Sequence, residues 1–141
     1  AKARGDRHGR AVAERLTGLV AHARGDLATA RAALERSIEL AVDDTDPAAV
    51  IASGTALALT MAAEGAVDDA VATGTAAIER CRQIGDRHLE AAVENHLADL
   101  LHAAGRSEAS MDHLKRAVVL FAEVGEGGLE PDAGIWALAA W

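Results

Sequence analysis

Residues 85–105 read GDRHLEAAVENHLADLLHAAG, and this stretch contains a complete helix with its start and stop signals. Asp86 precedes apolar residues spaced three and four apart, and an aspartate in that place accepts a backbone N–H from the first helical turn. Gly105 closes the stretch, and glycine most easily takes the positive φ found just past a helix end. The stretch therefore predicts one amphipathic helix followed by a tight turn.

The same stretch recurs along the chain at a period of 40 residues. Residues 5–25 begin with the same four letters, GDRH. The start and stop signals form two ladders: Asp6, Asp46, Asp86 and Gly25, Gly65, Gly105. Pro47 follows its aspartate at the first helical position, where the missing N–H costs nothing. A fixed period over most of a chain is typical of a solenoid, in which each unit buries its apolar face against its neighbours.

Each period predicts a helical hairpin. A first helix, A, runs from the aspartate to the ladder glycine, and a second helix, B, begins two or three residues later. The predicted hairpins span about residues 6–42, 46–84 and 86–124. Alanine and leucine dominate the apolar residues and only two prolines occur, so the fold class expected is all-α. We expect a repeat domain over residues 1–126 and a separate tail over residues 127–141.

Aligned positions predict how the two helices of a hairpin face each other. Residues at the same distance from their ladder glycine share what we call a slot. Five slots hold mainly apolar or small residues: Thr17, Leu57, Leu97; Ala21, Met61, Leu101; Ala30, Ala70, Ser110; Ile38, Ile78, Val118; and Ala41, Cys81, Phe121. Their spacing follows the 3.6-residue period of an amphipathic helix. Gly54 and Gly74 interrupt the middle hairpin, which therefore either packs its backbones closely or contains a gap.

This arrangement resembles the tetratricopeptide repeat over about residues 5–125. In that family a small residue precedes the turn glycine by seven positions, where this chain has Gly18, Ala58 and Ala98, and alanine follows it by five. The period of 40 departs from the family's 34, and most aromatic slots hold aliphatic residues or alanine. The resemblance implies a right-handed α-solenoid with a concave groove lined by the A helices. Candidate groove residues are Arg15, Leu19, His22, Thr55, Leu59, Asn95, Asp99 and His102.

The tail has its own apolar pattern. Ile135, Trp136, Leu138 and Trp141 follow an acidic segment with a proline, and the chain has no other tryptophan. With the Gly-Asp-Arg element between hairpins, this ending resembles large actinobacterial regulators that join a nucleotide-binding ATPase module to a tetratricopeptide region. We expect the tail to form a short capping helix over the last hairpin, or else to contact a partner.

Charge and composition exclude several classes of function. The net charge is −8, and residues 42–141 carry 6 basic against 17 acidic side chains, so this surface repels a nucleic acid. Cys81 has no second cysteine to pair with, and no apolar span is long enough for a bilayer, which together favour a cytoplasmic protein without membrane contact. Because the chain begins at Ala1 with the repeat already in register, we expect it to be part of a longer protein.

Catalysis and metal binding find no support in the pattern of residues. None of the six histidines lies three or four residues from another, the spacing that places two metal ligands on one helix face. Cys81 falls on the buried stripe, where a thiol forms little thiolate. We therefore predict no cofactor, no metal and no catalytic residue.

The predicted function is a noncatalytic scaffold of tetratricopeptide type that binds a protein or peptide, or other domains of its parent protein, with contacts between copies also open. The alternative is a sensor module. Its groove would bind a peptide or small effector and control a linked ATPase or DNA-binding domain.

Overall fold

The computed structural model describes residues 2–42 and 46–126, and within those ranges the fold is all-α with no strand. Six helices follow one another: α1 (Lys2–Ala23), α2 (Leu27–Val42), α3 (Pro47–Ala63), α4 (Val67–Ile84), α5 (Arg87–Ala103) and α6 (Ser107–Glu126). The all-α prediction is confirmed. Helices α2 and α4 end at the predicted residues, whereas α6 ends two residues later.

The ladder glycines end the A helices through one repeated geometry. Gly25 has a φ of 82°, its N–H donates to the His22 carbonyl, and the next N–H donates to the Ala21 carbonyl at 2.9 Å. These two bonds form the Schellman motif, which satisfies carbonyls left without a partner at a helix end. Gly65 and Gly105 repeat both bonds, with φ values of 91° and 79°. The predicted positive φ is confirmed at all three positions.

A fourth helix end uses the same motif. Gly85 has a φ of 70°, its N–H donates to the Arg82 carbonyl at 3.1 Å, and the following N–H donates to the Cys81 carbonyl. The sequence pattern placed Gly85 in a connecting loop, and the structure adds that this glycine terminates α4. Asp86 follows at once and caps α5, so the connection is short.

Two of the three predicted aspartate caps are confirmed. The Asp46 carboxylate accepts the Ala48 N–H at 3.2 Å, with Pro47 in the first helical turn, and the Asp86 carboxylate accepts the Leu89 N–H at 2.9 Å.

The third cap prediction is wrong, because Asp6 lies inside α1, which already begins at Lys2. The residues before it include alanine and long unbranched side chains, which favour helix, and the single Gly5 does not end one. The first hairpin therefore starts earlier than residue 6.

The chain divides into two compact units, residues 1–77 and residues 78–141. In the first unit α1 packs on α2 and α2 packs on α3. Leu34 and Ile51 are fully buried, and several alanines are buried in the same unit: Ala11, Ala30, Ala33, Ala41 and Ala58. Alanine-rich contacts allow helices to approach closely, which is most pronounced at Gly18 facing Leu34.

In the second unit α5 packs on α6. Val93, Leu97 and Leu101 of α5 and Ala117 of α6 are buried, and Cys81 of α4 is fully buried. Most stripe residues are buried as predicted.

Three stripe positions differ from the prediction. Thr17 is exposed, and its hydroxyl donates to the Ala13 carbonyl in its own helix. Ile38 and Phe121 are only half-buried, and the Phe121 ring meets the edge of His88 at 6.0 Å between centroids. A threonine can satisfy its hydroxyl within its own helix, so this slot does not need a partner helix.

Candidate functional site

Helix α1 carries a strip of exposed apolar side chains, Leu16, Leu19 and Val20, which we call the α1 patch. Their exposed fractions are 54%, 45% and 50%. Spacings of three and four residues place Leu19 and Val20 beside Leu16 on the helix surface. Leu16 and Val20 of this patch also line a cleft of about 420 Å³, together with Arg24 and Asp26. Grouped apolar side chains in contact with water are typical of a protein contact surface.

The predicted groove residues of α1 lie in and around this patch. Leu19 belongs to it, whereas Arg15 is half-buried. Leu16 and Val20 were missed by sequence reasoning, which followed only three slots per helix. Their spacing from Leu19 was the signal that could have included them.

His22 is held in place by a neighbouring helix. Its Nδ1 lies 3.0 Å from the Thr60 hydroxyl, and that hydroxyl lies 3.1 Å from the Ala56 carbonyl. A hydroxyl has one proton, so if Thr60 donates it to Ala56, the His22 ring must be the donor at Nδ1. The imidazole therefore ties α1 to α3 and leaves only Nε2 for a ligand.

The groove residues of α3 contribute little polar chemistry. The Thr55 hydroxyl donates to the Ile51 carbonyl at 2.8 Å within its own helix, and Leu59 is half-buried. This part of the predicted groove is therefore mainly apolar.

The groove residues of α5 present polar groups to water. Asp99 and His102 are exposed and Asn95 is half-buried. Among the described residues, none of these three side chains makes a hydrogen bond or an ion pair. Their spacings of four and three residues put a carboxylate, an amide and an imidazole on one side of α5. Because α5 belongs to the second unit and α1 and α3 to the first, these residues form a separate candidate site.

The second unit contains a buried carboxylate that sequence reasoning missed. Glu94 is 1% exposed. Its Oε2 accepts a hydrogen bond from His113 Nδ1 at 2.6 Å and lies 4.0 Å from Arg116 Nη1. A charge removed from water needs such partners, because an unpaired buried carboxylate is strongly destabilising.

The repeat contained a signal for this cluster. Glu94 and Arg116 occupy the same slots as Glu14 and Arg36, two periods earlier. Glu14 and Arg36 also pair, at 3.2 Å, but near the surface. The middle period has Gly54 and Ala76 there instead, so the pattern is visible only when the first and third periods are compared.

A second glutamate of α5 borders an open cleft. Glu90 is buried and accepts a hydrogen bond from Arg82 Nε at 3.1 Å. The cleft has a volume of about 320 Å³, and we call it the α6 cleft after the helix that contributes most of its lining: Arg82, Glu90, Lys115, Arg116, Val119 and Leu120. It combines cationic and apolar side chains.

Cys81 does not offer a nucleophile. Burial, and after it the nearby carboxylates of Asp86 and Glu90, raise the pKa of its thiol to about 11. The thiolate is the reactive form, so a thiol with this pKa is inert near neutral pH.

Within residues 2–42 and 46–126, no three histidine, cysteine, aspartate or glutamate side chains are placed to hold a metal ion. None of the described helices has both the length and the apolar character needed to cross a bilayer. The predicted tail residues Ile135, Trp136, Leu138 and Trp141 lie outside the described residues.

Comparison with known proteins gives no relative for this chain: no family model, no curated protein and no solved structure matches it.

Proposed function

We propose that this chain is a noncatalytic scaffold of tetratricopeptide type, a right-handed α-solenoid whose hairpins bind a protein or peptide. The repeated turn supports this proposal, since three ladder glycines end three helices with the same pair of hydrogen bonds. Five positions after each turn stands a small buried residue, Ala30, Ala70 or Ser110. Identical turns and small contact residues allow successive hairpins to stack as equivalent units.

The α1 patch is the observation that carries the binding role. Covering a half-exposed leucine or valine stabilises a complex by roughly 1 kcal/mol, so the three residues together supply a useful part of an interface. The contact between His22 Nδ1 and the Thr60 hydroxyl ties α1 to α3 before a partner binds. A surface that is already ordered loses less entropy on binding.

A matched pair of variants tests this role. Leu16→Asp with Leu19→Asp places charge in the α1 patch, whereas Val42→Asp changes a side chain of similar exposure, 52%, at the end of α2. We expect the double variant, but not the control, to lose captured protein partners and any self-association seen by sedimentation. Equal circular dichroism spectra establish that both variants are folded. If the double variant keeps the same partners and sedimentation behaviour as the control, the α1 patch is not the contact surface.

The second candidate is a sensor module, favoured by the polar group Asn95, Asp99 and His102. These side chains have no described partner and are available to an extended peptide or a small polar effector. The test is a peptide-array screen with the wild type and an Asn95→Ala, Asp99→Ala, His102→Ala variant of equal helicity. Loss of binding in this variant, with the α1 patch intact, favours the sensor over the scaffold.

We further propose that the chain works in the cytoplasm as part of a larger regulatory protein. The lone, buried and inert Cys81 fits a reducing compartment. The resemblance to actinobacterial regulators supplies the expected context, an ATPase or DNA-binding domain elsewhere in the parent. Sequencing the complete reading frame tests this directly, because a chain of repeats without such a domain would leave the scaffold as the whole function.

A further inference from the structure

The α6 cleft concentrates positive charge in an acidic region of the chain. Residues 42–141 contain six lysines and arginines, and three of them line this one cleft: Arg82, Lys115 and Arg116. Seventeen carboxylates are spread over the same hundred residues. Glu90 also lines the cleft and binds Arg82, so Lys115 is the cation there whose charge is left for an acidic ligand.

The cations of the α6 cleft retain donors for a ligand. Lys115 has no ion pair or hydrogen bond among the described residues. Arg82 donates its Nε to Glu90, and its Nη1 stays 3.8 Å from Glu79. An arginine has five N–H donors in a planar fork, so one bond to Glu90 leaves several for another carboxylate. Glu90 therefore orients Arg82 and leaves it N–H donors for a ligand.

Part of the lining of the α6 cleft is apolar. Val119 is 57% exposed, the largest value among the exposed apolar side chains described, and Leu120 lies beside it. A valine in contact with water next to three cations fits a ligand with both carboxylates and apolar side chains. A nucleic acid or a free phosphate would leave Val119 uncovered.

We propose that the α6 cleft is a binding site for an acidic and apolar peptide segment, and that its occupant is the chain's own residues 127–141. That segment reads GGLEPDAGIWALAAW and contains no lysine or arginine. Its two carboxylates, Glu130 and Asp132, precede Ile135 and Trp136 by a few residues. Its acidic and apolar groups complement the cationic and apolar side chains that line the cleft.

The segment can reach the cleft. It follows α6 directly, and Val119 lies seven residues before the end of that helix at Glu126, about 10 Å along the axis. The eight residues from Gly128 to Ile135 span up to roughly 26 Å when extended, so the chain can reverse and return to Val119. A tether this short gives an effective concentration in the millimolar range, so a weak contact suffices.

The chain supplies its own reporter, because Trp136 and Trp141 are its only tryptophans. Acrylamide quenching of tryptophan fluorescence in the full chain measures how far the segment is protected from water. The test variant is Lys115→Glu, and the control is Arg80→Glu, an exposed cation on α4 that also has no described partner. Both variants change the net charge equally and leave the described contacts in place.

We expect the wild type to be protected from quenching, and Lys115→Glu to weaken docking by about five- to tenfold while Arg80→Glu leaves it unchanged. Adding Glu130→Lys to Lys115→Glu should restore protection, because the opposite charges have exchanged places. Protection should not depend on protein concentration, which distinguishes docking within one chain from exchange between two copies.

An apolar variant pair tests the apolar lining of the cleft. Val119→Ser should raise the quenching constant, whereas Ile84→Ser, at an exposed apolar residue that ends α4, should not. The proposal is overturned if the wild-type tryptophans are quenched as readily as in the urea-unfolded chain. It is also overturned if they are protected but respond to neither Lys115→Glu nor Val119→Ser, or if protection requires high protein concentration.

Discussion

The hairpin of α1 and α2 and the hairpin of α5 and α6 share one turn but join their helices by different means. In the first, Gly18 lets the helices approach so closely that a Cβ atom there would lie 2.6 Å from Leu34 Cγ and 3.2 Å from the Ala30 carbonyl oxygen. In the hairpin of α5 and α6, the third along the chain, the same slot holds Ala98, and the Ser110 hydroxyl donates to the Ala98 carbonyl at 2.7 Å. The contact between α1 and α2 depends on the absence of a side chain at Gly18, whereas the contact between α5 and α6 includes a hydrogen bond.

The polar groups inside the two units differ in the same way. In the first unit the Ser37 hydroxyl donates to the Ala11 carbonyl and meets the Ser53 hydroxyl at 2.8 Å, all without ionisable groups. In the second unit the interior holds Glu94 with His113. Equivalent repeats therefore tolerate different changes: the first hairpin should be sensitive to side-chain size and the third to charge.

The largest expected effect is at His113. Replacing it by alanine leaves the buried Glu94 with Arg116 alone at 4.0 Å, and breaking a buried pair of this kind costs about 3 kcal/mol of unfolding free energy. Arg36→Ala breaks the equivalent pair with Glu14, which is near the surface, and should cost less than about 1 kcal/mol. Urea denaturation followed by circular dichroism measures both. His113→Gln keeps a donor and should recover part of the loss; equal losses for His113→Ala and Arg36→Ala would remove the contrast between the hairpins.

The next effect is at Gly18. Alanine there meets Leu34 and the α2 backbone, so we expect a loss of about 1–2 kcal/mol despite alanine's better helix propensity. Gly9→Ala, in the same helix with no neighbour within 4 Å of its added Cβ, is the control and should gain up to about 1 kcal/mol. If Gly18→Ala is instead more stable than the wild type, α1 and α2 can move apart without a loss of unfolding free energy.

Gly54 tests the middle repeat, where it takes the slot of Glu14 and Glu94. A Cβ on Gly54 would meet no atom within 4 Å, so of the two alternatives predicted from sequence the gap holds at this position. Gly54→Ala should raise the melting temperature, since removing a glycine from a helix interior gains about 1 kcal/mol. A lower melting temperature would mean that α3 is held by closer contacts than its surroundings indicate.

The smallest effect concerns Cys81, which takes the slot of Ala41 in the first unit. Its pKa is raised from 9.0 to about 11, so the folded state keeps a proton that the unfolded chain loses above pH 9. Stability should therefore be unaffected near neutral pH and fall as the pH rises from about 9 to 11. Alkylation at pH 8 should be roughly 100-fold slower than in the urea-unfolded chain, from the ratio of thiolate fractions. Equal rates would show that the thiol is accessible, and Cys81→Ala is the control for the pH profile.

The helix ends were largely predictable, because their signals are local. Gly25, Gly65 and Gly105 take a positive φ that few other residues adopt, and the carboxylates of Asp46 and Asp86 bond to amides two or three residues away. Asp6 shows the limit of this reasoning. A cap residue works only where the preceding chain leaves the helix, and here the preceding residues continue it.

The candidate sites were less predictable. Leu19 was assigned to a binding surface from its slot alone, whereas the exposed neighbours Leu16 and Val20 were not. The α6 cleft combines side chains from three helices, so no single spacing along the chain describes it. Exposure of an apolar side chain depends on which helix covers it, and this is a property of packing.

The sequence by itself determined the all-α class, the three positive-φ turns and the inert environment of the single cysteine, because each follows from a local signal or from the helical period. Only the tertiary structure decided that Glu94 is buried while Glu14, in the same slot two periods earlier, remains near the surface. The physical reason is the facing helix. His113 offers a hydrogen-bond donor to Glu94, whereas Ala33 stands at the corresponding position of the first hairpin and offers none.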